Sequence, residues 1–142
     1  MQVKDIMTYG VDYITPLETV KSAAEKMRDR NVGVCPVFDR NEPVGIITDR
    51  DIAVRCVAEG LNPSETKVSD VMTPEVFFCK ENADIEEAAH IMEYKQVRRL
   101  LVKNDSGNVV GILALGDLAM STTNELSGEV LHDISGASFP NR

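Results

Sequence analysis

The chain contains itself twice, and this restricts its folding more than any other feature. Val3-x-Asp5-x-Met7-Thr8 returns as Val68-x-Asp70-x-Met72-Thr73, an offset of 65 residues. The same offset carries Ala23-Ala24 onto Ala88-Ala89, Met27 onto Met92, Val32 onto Val97 and Val37 onto Val102. One inserted residue near Gly107 raises the offset to 66, after which Gly45 falls on Gly111, Ile46 on Ile112 and Asp51 on Asp117. Matching apolar positions in the same order, with a single gap in a turn, mean one supersecondary unit made twice. The expected boundaries are 1–66 for the first copy and 67–121 for the second, with a tail over 122–142.

Each copy carries the same element signals. After an entry segment over 3–8, residues 11–15 read as extended, because Pro16 disfavours the helical region in its predecessor. Val20, Ala23, Ala24 and Met27 then recur at i, i+3, i+4 and i+7, the mark of an amphipathic helix over 19–30. Strands are expected over 34–38 and 44–48 about a turn at 39–43, and a helix over 49–59 closed by Gly60. The second copy predicts a strand over 76–79, a helix over 84–95, strands over 99–102 and 109–113 about a turn at 104–107, and a helix over 116–121. The order is β-α-β-β-α in each copy, a mixed α/β (α+β) fold. One such copy leaves an apolar sheet face open. Two packed sheet to sheet would bury both faces and, under pseudo-twofold symmetry, leave clefts along the seam. In the tail, Leu126, Val130 and Leu131 suggest a short helix, and the run from Ser135 to the end is expected to be disordered.

Composition narrows the function classes. The 142 residues include no Trp, are 43% hydrophobic and carry a formal net charge of −8. A chain this acidic is repelled by nucleic acid unless a basic patch dominates, and its basic clusters are short. No apolar run nears the roughly 20 residues that span a bilayer, and the amino terminus lacks a signal-peptide pattern. A cytoplasmic protein without membrane or nucleic-acid contact is expected. Cys35, Cys56 and Cys79 are odd in number and lack metal-ligand spacing, so buried reduced thiols are expected and no metal. There is no Ser-His-Asp or Cys-His constellation and no phosphate-binding P-loop, and Asp49 and Asp51 lack a second catalytic group. The chain does not read as an enzyme.

The stretch Gly45-Ile46-Ile47-Thr48-Asp49-Arg50-Asp51-Ile52 carries the densest signal. A strand runs there into a helix start, whose unpaired amides and dipole suit an anion. Thr48 offers a hydroxyl, and Asp51 a carboxylate able to accept from a sugar's paired hydroxyls. Thr-x-x-Asp is equally a capping box, which only closes a helix end. Both readings stand on the local sequence.

Taken together, the two β-α-β-β-α copies, the Asp-x-Met-Thr at the head of each and Gly45–Ile52 resemble a pair of CBS domains, a Bateman module, over residues 3 to about 121. The chain is similar to small stand-alone bacterial CBS-pair proteins. The resemblance implies a regulatory module that binds AMP, ADP, ATP or S-adenosylmethionine between the repeats, needs no cofactor and dimerises. The family's Gly-h-h-Thr/Ser-x-x-Asp motif (h, apolar) falls on Gly45, Thr48 and Asp51, and on Gly111 and Asp117 with Ala114 in the hydroxyl place. Two clefts are implied. One combines Ile14, Thr15, Pro16, Val34, Cys35 and Pro36 with Ala114 and Asp117. The other combines Cys79, Lys80, Arg99, Leu100 and Leu101 with Thr48, Arg50 and Asp51, and its cations favour a phosphorylated adenosine. The alternative is a scaffold for dimerisation or for docking another protein, its ligand sites degenerate, which Ala114 favours.

Overall fold

A computed structural model gives the structure of the protein and describes residues 1–121. The expected tail helix lies outside the described residues. In chain order the elements are β1 (Thr8–Tyr9), α1 (Val20–Arg30), β2 (Val34–Asp39), β3 (Glu42–Thr48), α2 (Asp49–Ile52), α3 (Val68–Val71), β4 (Phe78–Lys80), α4 (Ile85–Lys95), β5 (Arg99–Lys103), β6 (Val109–Ala114) and α5 (Leu115–Ser121). Among the described residues no helix is long and apolar enough to cross a membrane.

The described residues form two compact units, one of Asp12–Val76 and the other of Met1–Val11 with the described chain from Phe77 to Ser121. Sequence copy and compact unit therefore differ at the head. The first Asp-x-Met-Thr segment packs in the unit that the second copy builds.

In the unit of Asp12–Val76, β2 and β3 form an antiparallel hairpin. Arg40 and Asn41 both have positive φ (52° and 66°), the two-residue turn whose twist matches the strands. The expected loop at 39–43 thus shrinks to two residues, and Pro43 enters the strand at the register shift after Val37, where a missing amide donor is tolerated. The expected strand over 11–15 reduces to one parallel bridge, Ile14 to Val37, with the Ile14 amide donating to Pro36 O at 3.0 Å. On the other side, Thr73 bridges Ile46. Helix α1 begins where the Thr19 hydroxyl accepts from the Ser22 amide at 3.1 Å. It turns Val20, Ala23 and Met27 onto a core of Ile14, Cys35, Val37, Ile47, Cys56, Val68 and Val71.

The other unit repeats this plan with longer edges. Its sheet has the order β1-β6-β5-β4, with β4 parallel to β5 and the remaining pairs antiparallel. Helix α4 buries Ile85, Ala88, Ala89 and Met92 against Val3, Leu100, Val102, Leu113 and Leu118. Burying an Ile, Met, Leu or Val side chain among these contributes about 1.5–3 kcal/mol. Both long helices end in a left-handed residue at the same repeat position, Asn31 and Gln96.

The expected helix over 49–59 is α2 followed by a π turn over Ala53–Val57, in which the Ala58 amide donates to Ala53 O at 2.9 Å. That wider turn shifts the side chains beyond it, and it bears on the site below.

Candidate functional site

The strand-to-helix corner at the end of β3 closes as a capping box. The Thr48 hydroxyl accepts from the Asp51 amide at 3.0 Å, and the Thr48 amide donates to Asp51 Oδ2 at 3.0 Å. The capping reading of Thr-x-x-Asp is therefore realised. It does not exhaust either group, since a hydroxyl that accepts through a lone pair keeps a proton to donate, and a carboxylate has about four acceptor positions.

Thr48 and Asp51 are each only 8% exposed. A carboxylate this enclosed needs compensation, and two residues that the sequence did not single out for Asp51 supply it. The Thr73 hydroxyl lies 3.3 Å from both Asp51 oxygens. Arg55 Nη1 lies 3.5 Å from Asp51 Oδ1 and donates to Val71 O and Met72 O at 3.0 Å each. Signals for both were present, in the i, i+4 spacing of Asp51 and Arg55 and in Thr73 closing the second Asp-x-Met-Thr.

The motif glycine has a packing explanation. A Cβ on Gly45 would stand 2.5 Å from Thr73 O, and one on Gly111 would stand 2.5 Å from Thr8 O. Each Asp-x-Met-Thr segment passes its partner strand too closely for any side chain at the glycine.

The second corner is half as well made. The Ala114 amide donates to Asp117 Oδ2 at 2.8 Å, but Ala114 offers no hydroxyl to return the bond. Asp117 is half-buried. Arg99 is the cross-strand partner of Ala114, as Val34 is of Thr48.

The remaining expected site residues divide by burial. Ile14, Cys35, Cys79 and Leu100 belong to the cores of their units. Burial pushes the Cys79 thiol up to about 11, with the charge of Glu87 adding to it. Cys35 is likewise raised, by burial first and then by Asp12. Pro36 and Leu101 are buried, whereas Pro16, Val34 and Arg99 are half-buried. Thr15, Arg50 and Lys80 are exposed. The Thr15 amide and hydroxyl both donate to Glu18 Oε2, at 2.8 and 3.1 Å. The structure thus joins Thr48 to Asp51 and Ala114 to Asp117 by hydrogen bonds, Ile14 to Pro36 through the backbone, and pairs Val34 with Thr48 and Arg99 with Ala114 across strands. Among the described residues no three His, Cys, Asp or Glu side chains cluster as a metal site.

Comparison with known proteins matches these features. The CBS domain family model matches residues 3–57 and again 68–121. The CBS domain-containing protein YhcV of Bacillus subtilis (strain 168) is 42% identical over 134 residues, which cover 94% of each chain. The crystal structure of the conserved CBS domain protein TA0289, of unknown function, from Thermoplasma acidophilum superposes with a TM-score of 0.79 at 26% identity, covering 94% of this chain and 75% of that one. The crystal structure of CBSX2 in complex with AMP superposes with a TM-score of 0.66 at 28% identity, covering 84% of this chain and 94% of that one.

Proposed function

The chain belongs to the CBS domain family, and from that premise we propose that it is a non-catalytic regulatory module that binds an adenosine-containing ligand, of the class of AMP, ADP, ATP or S-adenosylmethionine. The observation that carries this reading is the likeness to CBSX2, a protein seen with AMP, over 94% of that chain's length. The chemistry of the Thr48–Asp51 corner supports it. A sugar's paired hydroxyls are well served by an acceptor with two oxygens held still in a place of low solvent access, and Asp51 is buried and held by the Thr48 amide. The proposed roles are sugar acceptor for Asp51 and Asp117, hydroxyl donor for Thr48, and phosphate partners for Lys80 and Arg99. The functional form is a homodimer in the cytoplasm.

Thermal shift and calorimetry with AMP, ADP, ATP and S-adenosylmethionine test the reading. A ligand selective for the native state raises stability by RT ln(1 + [L]/Kd). At least one of the four should raise the melting temperature at millimolar concentration and be recovered chemically unchanged. Four flat titrations would remove the proposal. A second reading, a docking scaffold with a vestigial pocket, is favoured by Ala114, which leaves the second corner without its hydroxyl. It expects an oligomeric state indifferent to nucleotide.

A further inference from the structure

Arg55 is 47% exposed at its side chain, yet it reaches two stretches of chain at once, Val71–Thr73 and the corner at Asp51. Its Nη1 nitrogen carries two hydrogens, and the two short bonds at 3.0 Å go to the carbonyl oxygens of Val71 and Met72. The same nitrogen sits 3.5 Å from the Thr73 hydroxyl and 3.5 Å from Asp51 Oδ1. Thr73 is pinned on its other side by Ile46, through backbone bonds of 2.8 and 2.9 Å. The consequence is geometric. With the carbonyls before it held by Arg55 and its own backbone held by Ile46, Thr73 places its hydroxyl 3.3 Å from both oxygens of the Asp51 carboxylate. The π turn over Ala53–Val57 carries the residue that makes this arrangement, and such turns occur frequently at functional sites.

We propose that Arg55 is a positioning residue for ligand recognition: by tying Val71–Thr73 to the first corner, it fixes the rotamer of Asp51 so that the carboxylate meets a ribose diol. The inference rests on the adenosine reading above and deepens it, because it assigns a residue that sets selectivity for the intact sugar. It also distinguishes the two corners. The offset of 66 puts Ser121, not an arginine, four residues after Asp117. A bidentate bond to a diol requires both carboxylate oxygens in one plane at one orientation. An acceptor with a free χ2 loses affinity in ordering itself.

The test compares AMP with 2′,3′-dideoxyadenosine monophosphate by calorimetry on the full chain, as wild type, Arg55→Ala, Arg55→Lys and Thr73→Val. The wild type should prefer AMP by about tenfold or more, the scale of a hydrogen bond to a charged acceptor. Arg55→Ala and Thr73→Val should each weaken AMP by about tenfold while moving the dideoxy nucleotide less than about twofold, so the preference collapses. Arg55→Lys, which keeps the charge without the fork, should recover part of it. A merely structural role would weaken both nucleotides together and leave their ratio intact. A wild-type preference that survives in both Arg55→Ala and Thr73→Val overturns the inference and leaves adenosine binding standing. A wild type that binds neither nucleotide overturns the adenosine reading itself, and this inference with it. Should Arg55→Ala fail to fold, Thr73→Val decides, since it keeps the shape of the side chain and removes only the hydroxyl.

Discussion

A Cβ placed on Gly45 would lie 2.5 Å from the carbonyl oxygen of Thr73, closer than a non-bonded carbon approaches an oxygen. The obstacle is backbone, and that backbone is itself bonded to Ile46 in both directions. Neither side can move without breaking the bridge. Gly33 makes a useful contrast, because its ideal Cβ lies 2.8 Å from the Asp49 carboxylate, the far end of an exposed side chain. Gly45→Ala should therefore cost about 2–3 kcal/mol, as overpacking against fixed atoms does. Gly33→Ala should cost less than about 1 kcal/mol, because Asp49 swings away. Urea unfolding of the two variants checks this, and equal costs would show that the Thr73 backbone is not held against Gly45.

The two capping motifs differ by one hydroxyl, so a stabilising exchange is available. Thr48 completes a capping box and Ala114 completes only half of one. Removing a cap hydroxyl costs about 1 kcal/mol, within a range of about 0.5–2. Thr48→Ala should lower stability by that amount, and Ala114→Thr should raise it by up to the same amount. The shifts in melting temperature should be a few degrees and opposite in sign. Differential scanning calorimetry reads both, and a destabilising Ala114→Thr would mean that the second corner lacks room for the box.

The helices and strands were legible because their signals are local. Val20, Ala23 and Met27 mark one face of α1 whatever they pack on, and Thr19 caps it from an adjacent position. The doubling was legible because it needs no structure at all. What stayed hidden was non-local. Residues 11–15 have strand composition, but pairing depends on what lies beside them, and only Ile14 finds a partner. Arg55 and Thr73 look like an exposed helical arginine and the end of a repeat marker. Their meaning arises from a strand crossing that brings Thr73 to Asp51 from 22 residues away. The exchange of head segments was invisible for the same reason, since a repeat cannot say which copy its first residues will join. The capping box illustrates a different limit. Thr-x-x-Asp was correctly seen as serving a helix end, and closing that end is compatible with holding a ligand.

The thiols provide a test of burial through pH. Cys79 is pushed from 9.0 to about 11 by burial and by the charge of Glu87. A group whose folded pKa lies above its unfolded value binds more protons folded than unfolded between the two. Its contribution to stability is complete below about pH 9 and is lost as the pH rises towards 11. The melting temperature should therefore fall between pH 9 and 11, and it should fall less steeply in Cys79→Ala. Iodoacetamide at pH 8 should label Cys79 only when the protein is unfolded. A thiol alkylated at the rate of a free cysteine would contradict the burial from which the slope is derived.

Asp51 and Asp117 occupy the same place in the two copies, yet their surroundings predict unequal roles. Asp51 is held by the Thr48 amide, the Thr73 hydroxyl and the charge of Arg55, so little ordering remains when a ligand arrives. Asp117 accepts from the Ala114 amide at a corner that has Ala114 in the hydroxyl place and Ser121 in the arginine place. Asparagine is the informative substitution at both positions. Its amide oxygen still accepts the capping bond, so a loss of binding is not simply a loss of the helix end. Asp51→Asn should weaken AMP by about tenfold or more, the scale of a charged hydrogen bond. Asp117→Asn should weaken it by less than about threefold. Calorimetry gives both the affinity and the number of sites. If the two substitutions weaken AMP equally, the network around Asp51 confers no advantage, and the second corner recognises the sugar as well as the first.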